Sequence, residues 1–125
     1  MRKKPRKQKS RSRARAECDT LFSKLIRERD GHCLKCRGSD SLQCAHVISR
    51  RYLATRCDRL NAITLCRGCH VYFTHRPLEW DLFIGCFMLQ DDLEAIKRRA
   101  LEGPTPDWFE LLENLKANGL NPPPS

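Results

Sequence analysis

The sequence predicts a small α+β fold in which helices surround a pair of short strands. Apolar residues recur at helical spacing at 19–30 and again after residue 77, whereas residues 42–47 and 62–65 have the length and composition of strands. One pair of cysteines separated by two residues precedes the first strand, and a second such pair follows the other strand. We therefore expect a two-stranded core clamped by a four-cysteine metal site, with one helix before it and further helices after it.

Positive charge is concentrated at the N-terminus. The chain carries 24 Lys and Arg against 15 Asp and Glu, and residues 1–16 hold nine of those cations and no acid. With so few apolar residues, this segment is expected to be a disordered basic arm that binds nucleic acid through its phosphates. A single domain then covers 17–120, with its core at 30–76 and a helical region at 77–120, before a proline-rich tail at 121–125.

Apolar spacing and capping residues define five helical segments. Their predicted bounds are 19–30, 70–74, 78–89, 91–101 and 106–118. The expected stops are Gly31, Gly103 and Gly119. Asp91, in a capping box with Glu94, and Thr105 are the expected N-caps of the last two helices. The charged residues of the first helix are interpreted as its solvated face: Lys24, Arg27, Glu28 and Arg29.

Four of the eight cysteines have the spacing of zinc ligands. Cys33 and Cys36 form one CxxC pair, and Cys66 and Cys69 form the other. Each pair can direct two sulfurs at one ion from a tight turn, and two such turns complete a tetrahedron. One pair alone could be coincidental or a redox disulfide, but two pairs favour Zn²⁺. Because a four-cysteine site has no open position, we expect this zinc to be structural and required for folding.

Cys66, Cys69 and His70 also fit the CxxCH pattern at which c-type haem is attached. Such attachment is expected in an exported protein, and no apolar stretch of signal-peptide type follows the basic start. Nor does the sequence contain a run of 18 apolar residues that could span a membrane. We therefore expect no haem and no membrane partner, and a location in the cytosol of a bacterium or a phage-infected host.

Two histidines and an asparagine lie beside the predicted strands and the cysteine pairs. His46 ends the segment Leu-Gln-Cys-Ala-His and is followed by Val-Ile-Ser-Arg-Arg, while Asn61 and His70 bound the segment Asn-Ala-Ile-Thr-Leu-Cys-Arg-Gly-Cys-His. These two segments resemble the HNH endonuclease family. The stretches Thr-Arg-Cys-Asp-Arg-Leu-Asn and Tyr-Phe-Thr-His-Arg-Pro-Leu-Glu-Trp are similar to phage NinG-type recombination endonucleases. The resemblance covers residues 18–80.

The resemblance implies a ββα-metal fold and metal-dependent hydrolysis of phosphodiester bonds in duplex or branched DNA, leaving a 5′ phosphate and a 3′ hydroxyl. His46 matches the general base, a role that suits imidazole because its unperturbed pKa lies near neutral pH. Asn61 matches the residue that holds the loop and orients the base. His70 matches a ligand of a catalytic Mg²⁺, Mn²⁺ or Ni²⁺ ion, separate from the structural zinc.

Ala45 departs from the family pattern, because many members have Asp or another metal ligand directly before the general base. Asp58 and His75 are the candidate replacements, although His75 lies five residues after His70 and so off the i+4 helical spacing. Alternatively, the metal is bound weakly through water and substrate phosphate, or catalysis has been lost. The last case leads to the competing hypothesis of a non-catalytic, zinc-stabilised nucleic-acid-binding module.

Arginines follow the proposed base closely. Arg50, Arg51 and Arg56 are expected to bind the DNA backbone, because the guanidinium fork contacts phosphate oxygens at two points. Arg59 is more easily explained as a solvated charge.

Overall fold

The computed structural model describes residues 9–122 and contains five α-helices and one sheet of two strands. The elements in chain order are α1 (Arg11–Asp30), β1 (Leu42–His46), β2 (Ala62–Cys66), α2 (Arg67–Thr74), α3 (Pro77–Phe87), α4 (Gln90–Glu102) and α5 (Trp108–Asn118). Between the strands, the loop contains two single-turn 3-10 helices, Leu53–Thr55 and Arg59–Asn61. The predicted α+β class is confirmed at this level, with both strands within one residue of their expected ends.

The strands pair antiparallel, with His46 opposite Ala62 and Leu42 opposite Cys66. This register brings the end of β1 next to Asn61, the residue directly before β2. It also brings the start of β1 next to the point where β2 passes into α2. One end of this hairpin therefore carries Cys66, and the other carries His46 and Asn61.

Helix α1 begins eight residues earlier than predicted, at Arg11. The Ser10 side chain caps it by accepting a hydrogen bond of 3.2 Å from the Arg13 N–H. Residues 11–16 of the expected disordered arm are therefore helical, and that part of the prediction is wrong; residues 1–8 lie outside the described residues. The cations are compatible with a helix because they can remain on its outer face. Here each turn places one side chain of α1 against the core. The buried stripe is Ala14, Cys18, Phe22 and Ile26.

The C-terminal helices end as predicted but begin differently. Gly103 and Gly119 follow the last residues of α4 and α5. The capping box at Asp91 does not form, because α4 already begins at Gln90. Thr105 does not cap α5 either: the Asp107 carboxylate accepts from the N–H groups of the second and third helical residues at 3.0 and 3.2 Å. A carboxylate that can satisfy two free N–H groups caps α5 in place of the threonine.

Two hydrophobic clusters lie on either side of the sheet. We call the first the helical core; α1 and α5 pack there, with the following buried residues: Ala14, Cys18, Phe22, Ile26, Ala62, Trp108, Leu112 and Leu115. The second, the sheet core, joins the strands to α2 and α3 through Cys33, Ala45, Ile63, Leu65, Phe73 and Ile84. Because successive residues of β2 face opposite clusters, this strand is buried on both faces. Within residues 9–122, no helix is both long and apolar enough to cross a membrane.

Candidate metal centre and histidine cleft

The four cysteines of the two CxxC pairs come together at one end of the hairpin. Their sulfur atoms all lie within 4.8 Å of one another, and those of Cys36 and Cys66 are 3.7 Å apart. Four sulfurs bound tetrahedrally at about 2.3 Å from an ion are separated by roughly 3.8 Å, so this donor set fits zinc. The group, which we call the cysteine cluster, is a possible metal-binding site compatible with structural Zn²⁺.

Backbone N–H groups point at the sulfurs of the cysteine cluster. The N–H of Cys36 donates to Cys33 Sγ at 3.5 Å, and the N–H of Cys69 donates to Cys66 Sγ at 3.4 Å. Burial acts to raise the pKa of Cys33, but hydrogen bonds from backbone N–H groups outweigh it and lower that pKa to about 6. These hydrogen bonds favour the thiolate of Cys33, which is the form that binds metal.

Backbone hydrogen bonds attach the cysteine cluster to the hairpin. Leu34 N–H donates to the Thr64 carbonyl at 3.0 Å, and Arg67 N–H donates to the Ser41 carbonyl at 2.9 Å. Cys66 is both the last residue of β2 and the N-cap of α2. An ion held here would therefore join β2, α2 and the loop between α1 and β1.

An open cleft of about 540 Å³, which we call the histidine cleft, extends along β1 from Leu42 to His46. His46 enters it from the end of β1 and His70 from α2, so the structure brings these two predicted residues together. The other polar residues that line it are Asp19, Ser23, Arg27, Gln43 and Arg50.

The imidazole of His46 is oriented by the loop between the strands. Its Nε2 lies 2.8 Å from the Arg56 carbonyl oxygen. Because a carbonyl only accepts, Nε2 carries the hydrogen and Nδ1 of the neutral ring has the free lone pair. Burial lowers the pKa of His46, which favours this neutral form at pH 7. The ring also packs on Phe22 of α1, with the ring centroids 5.9 Å apart.

Asn61 is fully buried and holds the same loop from inside. Its side-chain oxygen accepts from Ile48 N–H at 2.7 Å, and its amide nitrogen donates to the carbonyls of Ile48 at 3.1 Å and Thr55 at 2.9 Å. The side chain thus joins the two ends of the segment that carries Arg50 and Arg51, and it does not enter the cleft.

His70 is oriented by a residue that the sequence analysis did not single out. Its Nδ1 lies 2.7 Å from Gln43 Oε1, so Nδ1–H is the donor and the Nε2 lone pair is free to bind a cation. Burial lowers the pKa of His70 and again favours the neutral ring. Gln43 lies on β1, opposite Leu65 and three residues before His46.

The structure does not bring the two candidate replacement ligands to His70. The Asp58 carboxylate pairs with Arg99 Nε at 2.7 Å and caps a turn through Leu60 N–H at 3.0 Å, beside α4. His75 is exposed at the end of α2. It lines neither the histidine cleft nor a second, smaller cleft beside His70. In the described part of the chain, the cysteine cluster is the one group of three or more His, Cys, Asp or Glu side chains placed to share an ion.

Ala45 lies on the face of the sheet that packs against α2 and α3, and it is 2% exposed. Its methyl group belongs to the sheet core rather than to the open surface. Ala45 also lines the second, smaller cleft, of about 250 Å³, with His46 and His70, and its methyl group offers no ligand there.

The arginines divide differently from the sequence prediction. Arg50 lines the histidine cleft and Arg51 is exposed nearby. Arg56, which was predicted to bind phosphate, does not line the cleft, and its guanidinium contacts the Asp19 carboxylate at 2.8 and 2.7 Å. Arg27, expected on a solvated face, lines the cleft. A polar i, i+4, i+8 stripe on α1, made of Asp19, Ser23 and Arg27, could have indicated this.

Arg29 is exposed, as the solvated-face interpretation expects, but it also bonds to the backbone. Its guanidinium donates to the carbonyls of Arg59 at 2.7 Å and Ala62 at 2.9 Å, which fastens the end of α1 to the start of β2. Asp30 adds to this joint by accepting from Thr64 N–H at 2.9 Å. These bonds fasten the C-terminal end of α1 to β2 and its preceding turn.

Comparison with described protein families, with curated proteins and with solved structures found no match to the chain.

Proposed function

We propose that this protein is a metal-dependent HNH endonuclease that hydrolyses phosphodiester bonds in DNA. The observation that carries the proposal is the pair of oriented imidazoles in one open cleft: His46 with a free Nδ1 and His70 with a free Nε2. Burial lowers the pKa of each ring, which favours its neutral form, and the other nitrogen of each ring is hydrogen-bonded. A general base and a metal ligand both require these features.

In the proposed reaction, Nδ1 of His46 accepts a proton from water while the water oxygen attacks phosphorus. The bond between phosphorus and the 3′ oxygen breaks, and that oxygen takes up a proton, which leaves a 5′ phosphate and a 3′ hydroxyl. A divalent cation bound by His70 would stabilise negative charge on the phosphate and on the leaving oxygen. Arg27 and Arg50 line the same cleft and supply positive charge for the phosphates on either side.

The absence of a ligand at Ala45 is compatible with this function for a chemical reason. Mg²⁺ usually retains several waters and is held by one or two protein groups together with substrate phosphates. His70, supported by Gln43, then acts with the DNA itself to complete the site. On this basis the metal is expected to bind tightly only when DNA is present.

The competing function is a zinc-stabilised nucleic-acid-binding module without catalysis. The burial of Ala45, and the distance of Asp58 from the cleft in its pair with Arg99, favour this candidate. It shares the structural zinc and the arginines with the enzyme hypothesis, and it differs only in the role of the two imidazoles. Cleavage is therefore the property that distinguishes the two functions.

The test is a plasmid-nicking assay of the zinc-loaded protein with added Mg²⁺, Mn²⁺ or Ni²⁺, extended to nicked, flapped and four-way DNA. His46→Ala should reduce cleavage by about 10²- to 10⁴-fold, the usual contribution of a general base, and leave DNA affinity unchanged. His75→Ala is the matched control, because it removes an exposed imidazole that does not line the cleft. Wild-type protein that binds DNA but leaves every substrate intact in every metal would establish the non-catalytic alternative.

A further inference from the structure

Asp19 and Arg56 form an ion pair at the edge of the histidine cleft. Arg56 Nε lies 2.8 Å from Asp19 Oδ1, and its second terminal nitrogen lies 2.7 Å from Oδ2. Both side chains are largely shielded, with 17% of Arg56 and 24% of Asp19 exposed. A two-point contact of this kind fixes direction as well as distance, because the guanidinium fork is planar.

The same residue, Arg56, orients the proposed base through its backbone. Its carbonyl oxygen is the acceptor for His46 Nε2 at 2.8 Å. The other terminal nitrogen of the Arg56 side chain donates to the Arg50 carbonyl at 3.3 Å. This bond ties the side chain to the part of the loop that follows β1. The direction of the Arg56 peptide therefore depends on where its side chain is anchored.

We infer that Asp19 is a positioning residue for the proposed nuclease reaction: it anchors Arg56, whose carbonyl holds the His46 imidazole with Nδ1 facing the cleft. The expected effect of Asp19 on cleavage rests on the proposed function. Its expected effect on the orientation of the His46 ring does not. The inference also assigns a functional role to α1, which lies before the segment 30–76 expected to form the core.

Asn61 does not make this anchor redundant. Its side chain bonds Ile48 and Thr55 but has no contact with the Arg56 carbonyl. The Arg56 N–H makes only a 3.3 Å bond to the Leu53 carbonyl, within a single helical turn. By contrast, α1 has 20 residues and packs on both α5 and the sheet, so it is a rigid point of attachment from outside the loop.

The sign of the effect separates positioning from simple electrostatics. DNA is an anion, so removal of a carboxylate from the cleft should tighten DNA binding if charge alone matters. Positioning predicts the opposite for turnover, because a shift of about 1 Å in a catalytic group can cost on the order of 100-fold. Asp19→Asn should therefore lower kcat by roughly that factor, with KM equal to or below the wild-type value.

The matched control is Glu28→Gln, which removes one negative charge from an exposed position of the same helix. It should leave kcat and the ring unchanged. Arg56→Lys is the second variant, for use if Asp19→Asn does not fold. It can still form an ion pair with Asp19. Because lysine replaces the two-point fork by a point charge, Arg56→Lys should also lower kcat without raising KM.

The decisive readout does not require cleavage. In ¹⁵N NMR spectra of the zinc-loaded protein without catalytic metal, the wild-type His46 ring should be one tautomer, with hydrogen on Nε2. The signals are assigned by their loss in His46→Gln. Asp19→Asn and Arg56→Lys should give a mixture of both tautomers, while Glu28→Gln should retain one.

Each result bears on a different hypothesis. If the wild-type protein cleaves nothing but the tautomer still changes in Asp19→Asn, the nuclease proposal fails and the positioning inference stands. A single Nε2–H tautomer in both folded variants would overturn the inference even if cleavage is reduced. A rise in KM for Arg56→Lys with unchanged kcat would also overturn it, and would restore the phosphate-binding role of Arg56.

Discussion

The cysteine cluster and the histidine cleft are built on the same hairpin and the same helix, yet they depend on the fold in opposite ways. The cysteine cluster uses two pairs of residues that are close in sequence, and its four sulfurs enclose one position. The histidine cleft takes its walls from α1, β1 and α2 and stays open. Cys69 and His70 are consecutive residues, so α2 serves one site with each of two adjacent side chains. One site encloses a position for a single ion, and the other leaves room for a larger ligand.

Loss of the cysteine cluster should have the largest effect. Cys66→Ser, or chelation of the zinc, should unfold the sheet core, because structural zinc contributes apparent binding free energies of about 10–16 kcal/mol in zinc-finger peptides. Thermal denaturation followed by circular dichroism, with zinc measured by mass spectrometry, should show one zinc per folded chain and no cooperative transition in the variant.

The control for this experiment is Cys86→Ser, which changes an exposed cysteine outside the cluster. It should retain both zinc and the transition. A cooperatively folded, zinc-free Cys66→Ser protein would contradict the structural role of the metal, and Cys33→Ser should behave as Cys66→Ser does.

Removal of the Asn61 side chain should damage the cleft without emptying the cluster. Asn61→Ala leaves the N–H and the carbonyl of Ile48 without partners and removes one of the two hydrogen bonds to the Thr55 carbonyl, which should cost about 3 kcal/mol in the free energy of unfolding. Urea denaturation measures this, and zinc content should stay at the wild-type value. Asn121→Ala, at an exposed position after α5, should leave stability unchanged; equal stability of the two variants would contradict the loop-holding role.

The pH dependence of cleavage should report the burial of the two imidazoles. Burial lowers the pKa of both His46 and His70, and both must be neutral to accept a proton or bind a cation. As pH falls, kcat/KM should therefore remain high through about 6.5, the ordinary histidine pKa, and decline only below it. An acid limb centred above that value, measured with zinc content constant, would show that the rings are not held neutral by burial.

The smallest effect is expected from the rim of the cleft. Arg27→Gln should weaken DNA binding several-fold and reduce the slope of log K against log salt by about 1, as one phosphate contact does. Lys24→Gln, which removes an exposed cation of α1 that does not line the cleft, is the control. Equal salt slopes for the two variants, measured by fluorescence anisotropy, would argue against a contact between Arg27 and phosphate.

Local features of the fold were predictable because they depend on neighbouring residues. The CxxC turns, the stop at Gly31 (φ 73°) and both strands follow from spacing and backbone preference over a few positions. The start of α1 is not predicted because the first two residues of its buried stripe, Ala14 and Cys18, have small side chains and lie among many cations. The caps predicted at Asp91 and Thr105 do not form, because α4 begins at Gln90 and Asp107 caps α5.

The sequence by itself determined the composition of both sites: four cysteines at metal-ligand spacing, and His46, Asn61 and His70 in an order that resembles HNH nucleases. Only the tertiary structure decided the partners of these residues. Arg56 pairs with Asp19 and Asp58 with Arg99, contacts between residues 37 and 41 positions apart. Long charged side chains have many rotamers, so their partners depend on which helix packs beside them, and periodicity along the chain contains no such information.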